Sequence, residues 1–114
     1  MIKVESLKKY QRILNKEDFE VLANKIFMIT EYLVLEYSGY KRWYFEKQLK
    51  NIGSIEREIL FVRNKEKLDE IIAVACLKKT TSEKKICTLY VVENFRSMGI
   101  GSALLNESFK FLGT

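Results

Sequence analysis

Apolar positions along this chain recur first with a helical rhythm, then with the rhythm of strands, then with a helical one again. Phe19, Leu22, Ile26, Ile29, Leu33 and Tyr37 lie three or four residues apart, with Val34 alongside, which is the spacing of one helix face. Asn15 can cap a long amphipathic helix beginning at Lys16, because its side chain accepts from N–H groups of the first turn. Glu17, Asp18 and Glu20 then sit at the positive helix end. Ser38-Gly39 interrupts the run. Tyr40 to Asn51 predicts a second helix, ended by Gly53, with Trp43, Tyr44, Phe45, Leu49 and Ile52 as its apolar material.

Beyond Gly53 the runs shorten and fill with β-branched residues. Arg57 to Arg63, around Ile59-Leu60-Phe61-Val62, predicts one strand, and Ile71 to Leu77 the next. Lys85 to Val92 predicts a third, with turns at Asn64 to Asp69 and Thr80 to Glu83. Connections this short join strands antiparallel, so the three form a meander. Ile2 to Val4 predicts a short first strand that pairs with a later one. Helical spacing returns at Ile100, Leu104, Leu105, Phe109 and Leu112 and predicts a last helix from about Gly101 to Leu112. The third strand is apolar on both alternating faces, with Ile86, Tyr90 and Val92 on one and Cys87, Leu89 and Val91 on the other. Such a strand belongs inside a sheet.

Composition narrows the class. The 114 residues, 47% hydrophobic and 31% charged, suit a single soluble domain spanning residues 1–114 with one modest core. No apolar run is long enough to span a bilayer, and the first residues lack the apolar block of a secretory signal, so a cytosolic protein is expected. A net charge of +5 would suit an anionic ligand. The basic pairs Lys8-Lys9, Lys78-Lys79 and Lys84-Lys85 are short and mixed with acids, which fits a solvated surface better than a nucleic-acid footprint. There is no histidine, which excludes His-containing zinc sites and histidine-based triads. Cys76 and Cys87 fall inside predicted strands without metal-ligand spacing and read as reduced core thiols.

Candidate chemistry concentrates between the third strand and the last helix. A turn that feeds a strand into a helix points the first free N–H groups of that helix outward, and the helix dipole adds partial positive charge there. An anion is the natural occupant. Gly99 and Gly101 permit positive φ and close approach of a diphosphate to the main chain, and Arg96 can add a charge-assisted bond. A P-loop is absent. The dinucleotide pattern Gly-x-Gly-x-x-Gly fails because Leu104 stands where its third glycine belongs.

The run Leu89-Tyr90-Val91-Val92 followed by Arg96-x-x-Gly99-x-Gly101 resembles the acetyl-CoA signature of the GNAT-type N-acetyltransferase superfamily, Gln/Arg-x-x-Gly-x-Gly/Ala. The resemblance implies an α+β, three-layer fold: an antiparallel meander, an N-terminal helix pair and one helix after the CoA-binding turn. It implies acetyl-CoA as cosubstrate and a small-molecule or peptide amine as acceptor. Leu89, Tyr90 and Val91 would lie against pantetheine, with the Val91 N–H near the thioester oxygen. Arg96, Ser97, Met98, Gly99, Ile100, Gly101 and Ser102 would hold the diphosphate.

In the resembled family further strands follow, with a tyrosine proposed to protonate the leaving thiolate. This sequence lacks them, so a partial domain with weak or absent turnover is expected. A non-catalytic CoA-binding or interaction module is the alternative, and a nucleic-acid-binding domain is less favoured. The free edge of the strand at Ile86 to Val92 would pair with a second copy in a homodimer, or else leave a marginally stable, aggregation-prone monomer. Tyr37, Tyr40, Trp43 and Tyr44 could line an acceptor slot, although core packing is the stronger reading. Glu58, Glu83 and Glu93 are the acids in or beside the sheet, each more at home as a solvated charge than as a base.

Overall fold

The computed structural model describes residues 2–114. Glu5–Ser6 form a two-residue strand, β1, and the Ser6 side chain then caps the helix α1, Leu7–Ile13, by accepting from the Lys9 N–H. The first strand therefore lies just beyond the predicted Ile2 to Val4. The burial of Glu5 explains the shift: its carboxylate accepts from the Tyr10 hydroxyl and, at 3.0 Å, from Arg63 Nε on a neighbouring strand. A carboxylate taken from water needs such partners. Helix α1 was not anticipated, because only Leu7 of its residues is buried and the apolar signal is weak.

Asn15 caps α2, Lys16–Met28, as the sequence predicts, accepting from the Asp18 N–H at 2.8 Å. The helix stops well short of Tyr37. Thr30, almost fully buried, donates from Oγ1 to the Phe27 carbonyl at 3.0 Å, a local side-chain bond that competes with the helical ladder. The chain turns through residues 29–32 into a one-turn helix α3, Leu33–Glu36, and restarts as α4, Tyr40–Trp43. From Tyr44 to Leu49 the same helix widens into π geometry. Buried Gln48 accounts for the placement. Its amide donates to the carbonyls of Glu58 and Leu77, and its oxygen accepts from Arg57, all within 3.1 Å.

The sheet runs β1-β2-β3-β4, antiparallel throughout. Strand β2 is Arg57–Asn64, β3 is Lys67–Lys79 and β4 is Lys84–Val91. Alternation divides the core between two faces. Ile59, Phe61, Val74 and Cys76 face Leu22, Ile26, Phe27 and Tyr44 of the helical layer. Leu60, Val62, Ala75 and Leu77 face Ile100 and Leu104 of the last helix α5, Ile100–Leu112. The three layers expected are present. Leu112 and Ser108 extend the buried seam of α5, whereas Phe109 is turned outward. Among the described residues no helix is long and apolar enough to cross a membrane.

A bulge in β4 changes one expectation. Cys76 pairs with Thr88 but Leu77 pairs with Ile86, leaving Cys87 extra. An extra residue reverses the side-chain alternation. Ile86 thus joins Val91 and Val92 on the α5 face, while Cys87 and Tyr90 face the helical layer, contrary to the simple alternation expected.

Two stability tests follow from the core. Gln48→Ala removes three hydrogen bonds, two of them buried, and leaves a void, and should cost about 3 kcal/mol in urea unfolding. Burial also raises the Cys76 thiol and the Tyr44 phenol far above their ordinary values. The native state keeps both neutral, while the unfolded chain loses thiol protons above about pH 8.5, so stability holds below that value and falls as pH rises beyond it. Thermal melts from neutral to alkaline pH should show this, with a shallower fall in Cys76→Ala.

Candidate functional site

Three features meet at the outer edge of β4: the edge itself, the turn into α5, and a cavity toward the helices. The Val92 N–H donates to the Ile72 carbonyl at 2.8 Å. Since bonding groups alternate along an antiparallel ladder, Leu89 and Val91 direct their N–H and C=O away from β3. Among the described residues no strand lies beyond β4 in the sheet. The outward Val91 carbonyl instead accepts from Arg96 Nε at 2.8 Å, and the Arg96 guanidinium lies 5.4 Å from the Tyr90 ring centre. Tyr90 points to the opposite side from Val91 and packs on Tyr32, ring centres 5.2 Å apart.

After a short 3₁₀ turn at Glu93–Phe95, the backbone takes positive φ at Ser97 (66°) and Gly99 (81°). Left-handed residues interspersed in a turn are the backbone pattern that brings neighbouring N–H groups to one side. Among the described residues, none of the N–H groups from Ser97 to Ser102 has an acceptor, and no side chain caps α5. The first helical bond is Ala103 N–H to the Gly99 carbonyl, 3.0 Å. Free donors at the positive end of a helix are suited to an anion.

The two glycines differ in their reasons. Gly99 is required by its left-handed angle. Gly101 does not have positive φ, and a Cβ there would meet only Val91 Cγ2 at 3.9 Å, so its lack of a side chain leaves open space above the helix end. Ser97 shares the strained region, which the sequence did not signal. Arg96, Ser97, Met98 and Ser102 are exposed, whereas the Ile100 side chain is buried under α5 and contributes only its main chain.

Between α3, α4 and β4 lies a cavity of about 470 Å³ whose walls include Tyr32, Tyr37, Tyr40, Trp43, Thr88 and Leu89. The aromatic group expected from the sequence is therefore divided. Tyr37, Tyr40 and Trp43 reach the cavity, while Tyr44 is in the core and donates to the Ala23 carbonyl at 2.9 Å. Tyr40 crosses from helix to sheet: its hydroxyl donates to Thr30 Oγ1 at 3.0 Å and lies 3.5 Å from Thr88 Oγ1. Burial raises its phenol above the ordinary value, and burial beside Tyr90 does the same for Tyr32. Both are neutral near pH 7.

None of the acids singled out from the sequence lines this cavity. Glu58 is buried and accepts from Ser6 Oγ at 2.7 Å and from the Ile59 N–H at 2.9 Å. Glu83 pairs with Lys78 at 2.8 Å in the β3–β4 turn, where that partner lowers its pKa. Glu93 is exposed in the 3₁₀ turn. Tyr32, Lys85, Cys87 and Thr88 also line the cavity, and the sequence pattern does not point to them. The β4 bulge, which has no sequence signature, brings Cys87 to this side.

The family model described as "Acetyltransferase (GNAT) family" matches residues 25–113. Comparison with curated proteins and with solved structures returns no match.

The two thiols offer a check on this geometry. Cys87 is half-buried and burial raises its pKa, against the opposing influence of Lys85, while Cys76 is sealed. At pH 7.5 iodoacetamide should label Cys87 more slowly than free cysteine, and Cys76 only on unfolding. Mass spectrometry of the labelled protein reads both rates, and a faster Cys76 would contradict the packing.

Proposed function

Because the chain belongs to the acetyltransferase (GNAT) family, we propose that it binds acetyl-CoA at the turn from Arg96 to Ser102 and directs acetyl transfer to a primary amine held in the aromatic cavity. The observation that carries this reading is the row of N–H groups from Ser97 to Ser102 without acceptors, beside a strand edge that presents Leu89 and Val91.

Each residue then has a physical task. The main-chain donors of Ser97 to Ser102 hold the diphosphate, and the space above Gly101 admits it. Arg96 supplies a charge-assisted bond once it leaves the Val91 carbonyl. Leu89 and Val91 pair their outward polar groups with the amide groups of pantetheine, as a further strand would, while Tyr90 braces the edge through Tyr32. Acetyl-CoA supplies an activated acyl group: the amine nitrogen forms the new C–N bond, the C–S bond breaks, and the sulfur leaves as a thiol that carries the proton lost by nitrogen. The protein's share is to orient the amine and to exclude water around it with the walls of the cavity.

In this reading residues 1–114 act as one acetyltransferase-like unit. The same exposed edge is where a second copy would pair. The bulge at Cys87 confines regular pairing to the segment around Leu89 and Val91, so CoA and a second copy compete for the same groups.

Calorimetry with CoA tests the cradle. Gly101→Val adds a side chain that the folded protein accommodates but that fills the approach to the donors, and should weaken binding about tenfold or more. Arg96→Ala removes one charge-assisted contact and should weaken it about threefold. Equal affinity in wild type and both variants would overturn the assignment.

A further inference from the structure

The cavity's walls select the kind of amine. Of the residues that line it, Lys85 alone carries a charge at neutral pH, and no carboxylate is among them. Glu31 and Glu36 are exposed on the nearby helical segment and lie outside the lining. A polyamine or aminoglycoside would bring several ammonium groups beside Lys85 with nothing to neutralise them. One ammonium can rest against the faces of Tyr37 and Trp43, but a second has no counter-charge.

The absence of a carboxylate from the walls also bears on basicity. With no carboxylate in the walls to take up the proton, the fraction of acceptor already neutral limits attack. At pH 7.5 roughly a third of an α-amino group of ordinary pKa about 7.8 is neutral, against about 0.1% of a lysine-like amine of pKa about 10.4. A peptide α-amine thus starts with an advantage of more than a hundredfold that needs no catalytic residue.

Shape and charge agree with this. The cavity has room for a large side chain together with the peptide unit that follows it. Its rim is apolar: the lining residues Tyr37, Tyr32 and Leu89 are 62%, 44% and 42% exposed, more apolar surface than a small acceptor would cover. Lys85 makes no ion pair among the described residues. We propose that the acceptor is the α-amino end of a peptide whose first residue is large and apolar and whose second carries a carboxylate that meets Lys85. This rests on the acetyl-transfer reading for its chemistry, but the binding itself does not require CoA.

Trp43 is the sole tryptophan and lines the cavity, so its fluorescence reports occupancy directly. The peptides Phe-Glu-Gly-amide and Phe-Lys-Gly-amide, with spermidine as the polyamine, would be titrated against the whole chain without CoA. Phe-Glu-Gly-amide should quench Trp43 about fivefold more tightly than Phe-Lys-Gly-amide, the range of a partly exposed ion pair. Lys85→Glu should reverse that order and Lys85→Gln abolish it; Lys85 is exposed, so both variants should fold. Spermidine binding as tightly as Phe-Glu-Gly-amide, or an order unchanged in Lys85→Glu, would overturn the proposal. Thiol release from acetyl-CoA with the same compounds separates the two readings. Peptide quenching without CoA binding supports the peptide site and defeats acetyl transfer, whereas CoA binding without peptide quenching defeats the peptide site alone.

Discussion

The Tyr40 hydroxyl is placed between helices and sheet, where burial forbids it to remain without partners. Its solution, Thr30 on one side and Thr88 on the other, governs much of what surrounds it. Thr30 can serve only because α2 has already ended, and its second bond, to the Phe27 carbonyl, helps to end it. Thr88 can serve only where β4 turns that face toward the helices. The ring of Tyr40 then becomes the floor of the cavity, with Trp43 beside it at a centre distance of 5.6 Å. A polar chain of three side chains thus ties the helix break, the strand and the site together.

The outer edge of β4 is managed rather than left bare. An unpaired edge invites association, and here the bulge at Cys87 breaks its regular alternation while Arg96 occupies the Val91 carbonyl. These features keep a short stretch of main chain available beside the donor row of the turn. The local geometry that restrains indiscriminate pairing is therefore the geometry that leaves room for a ligand. In the proposed reading it also sets a cost, since Arg96 would exchange the Val91 carbonyl for the anion.

The glycine turn shows how close a local pattern comes to a site. Arg96-x-x-Gly99-x-Gly101 marked where the donors would be, since a strand running into a helix leaves such groups free regardless of the rest of the fold. It could not separate the tasks of the two glycines. The angle at Gly99 comes from the path between β4 and α5, and the space above Gly101 from the distance to Val91.

Periodicity and the bonding needs of adjacent residues are enough to place the three long strands, the start of α2 at its Asn15 cap, the antiparallel meander, the last helix and the candidate anion turn. Tertiary structure decided the rest. The helix expected to reach Tyr37 stops at Met28 because Thr30 finds a partner ten residues on. The first strand falls at Glu5–Ser6 because Arg63 and Tyr10 await its carboxylate. The aromatic residues divide between core and cavity, Tyr44 inward and Tyr37 outward, according to which neighbours the sheet supplies. Cys87 reaches the cavity through a bulge that its own residues do not announce. All of these depend on partners distant in the chain, whose pairing energies no local pattern contains.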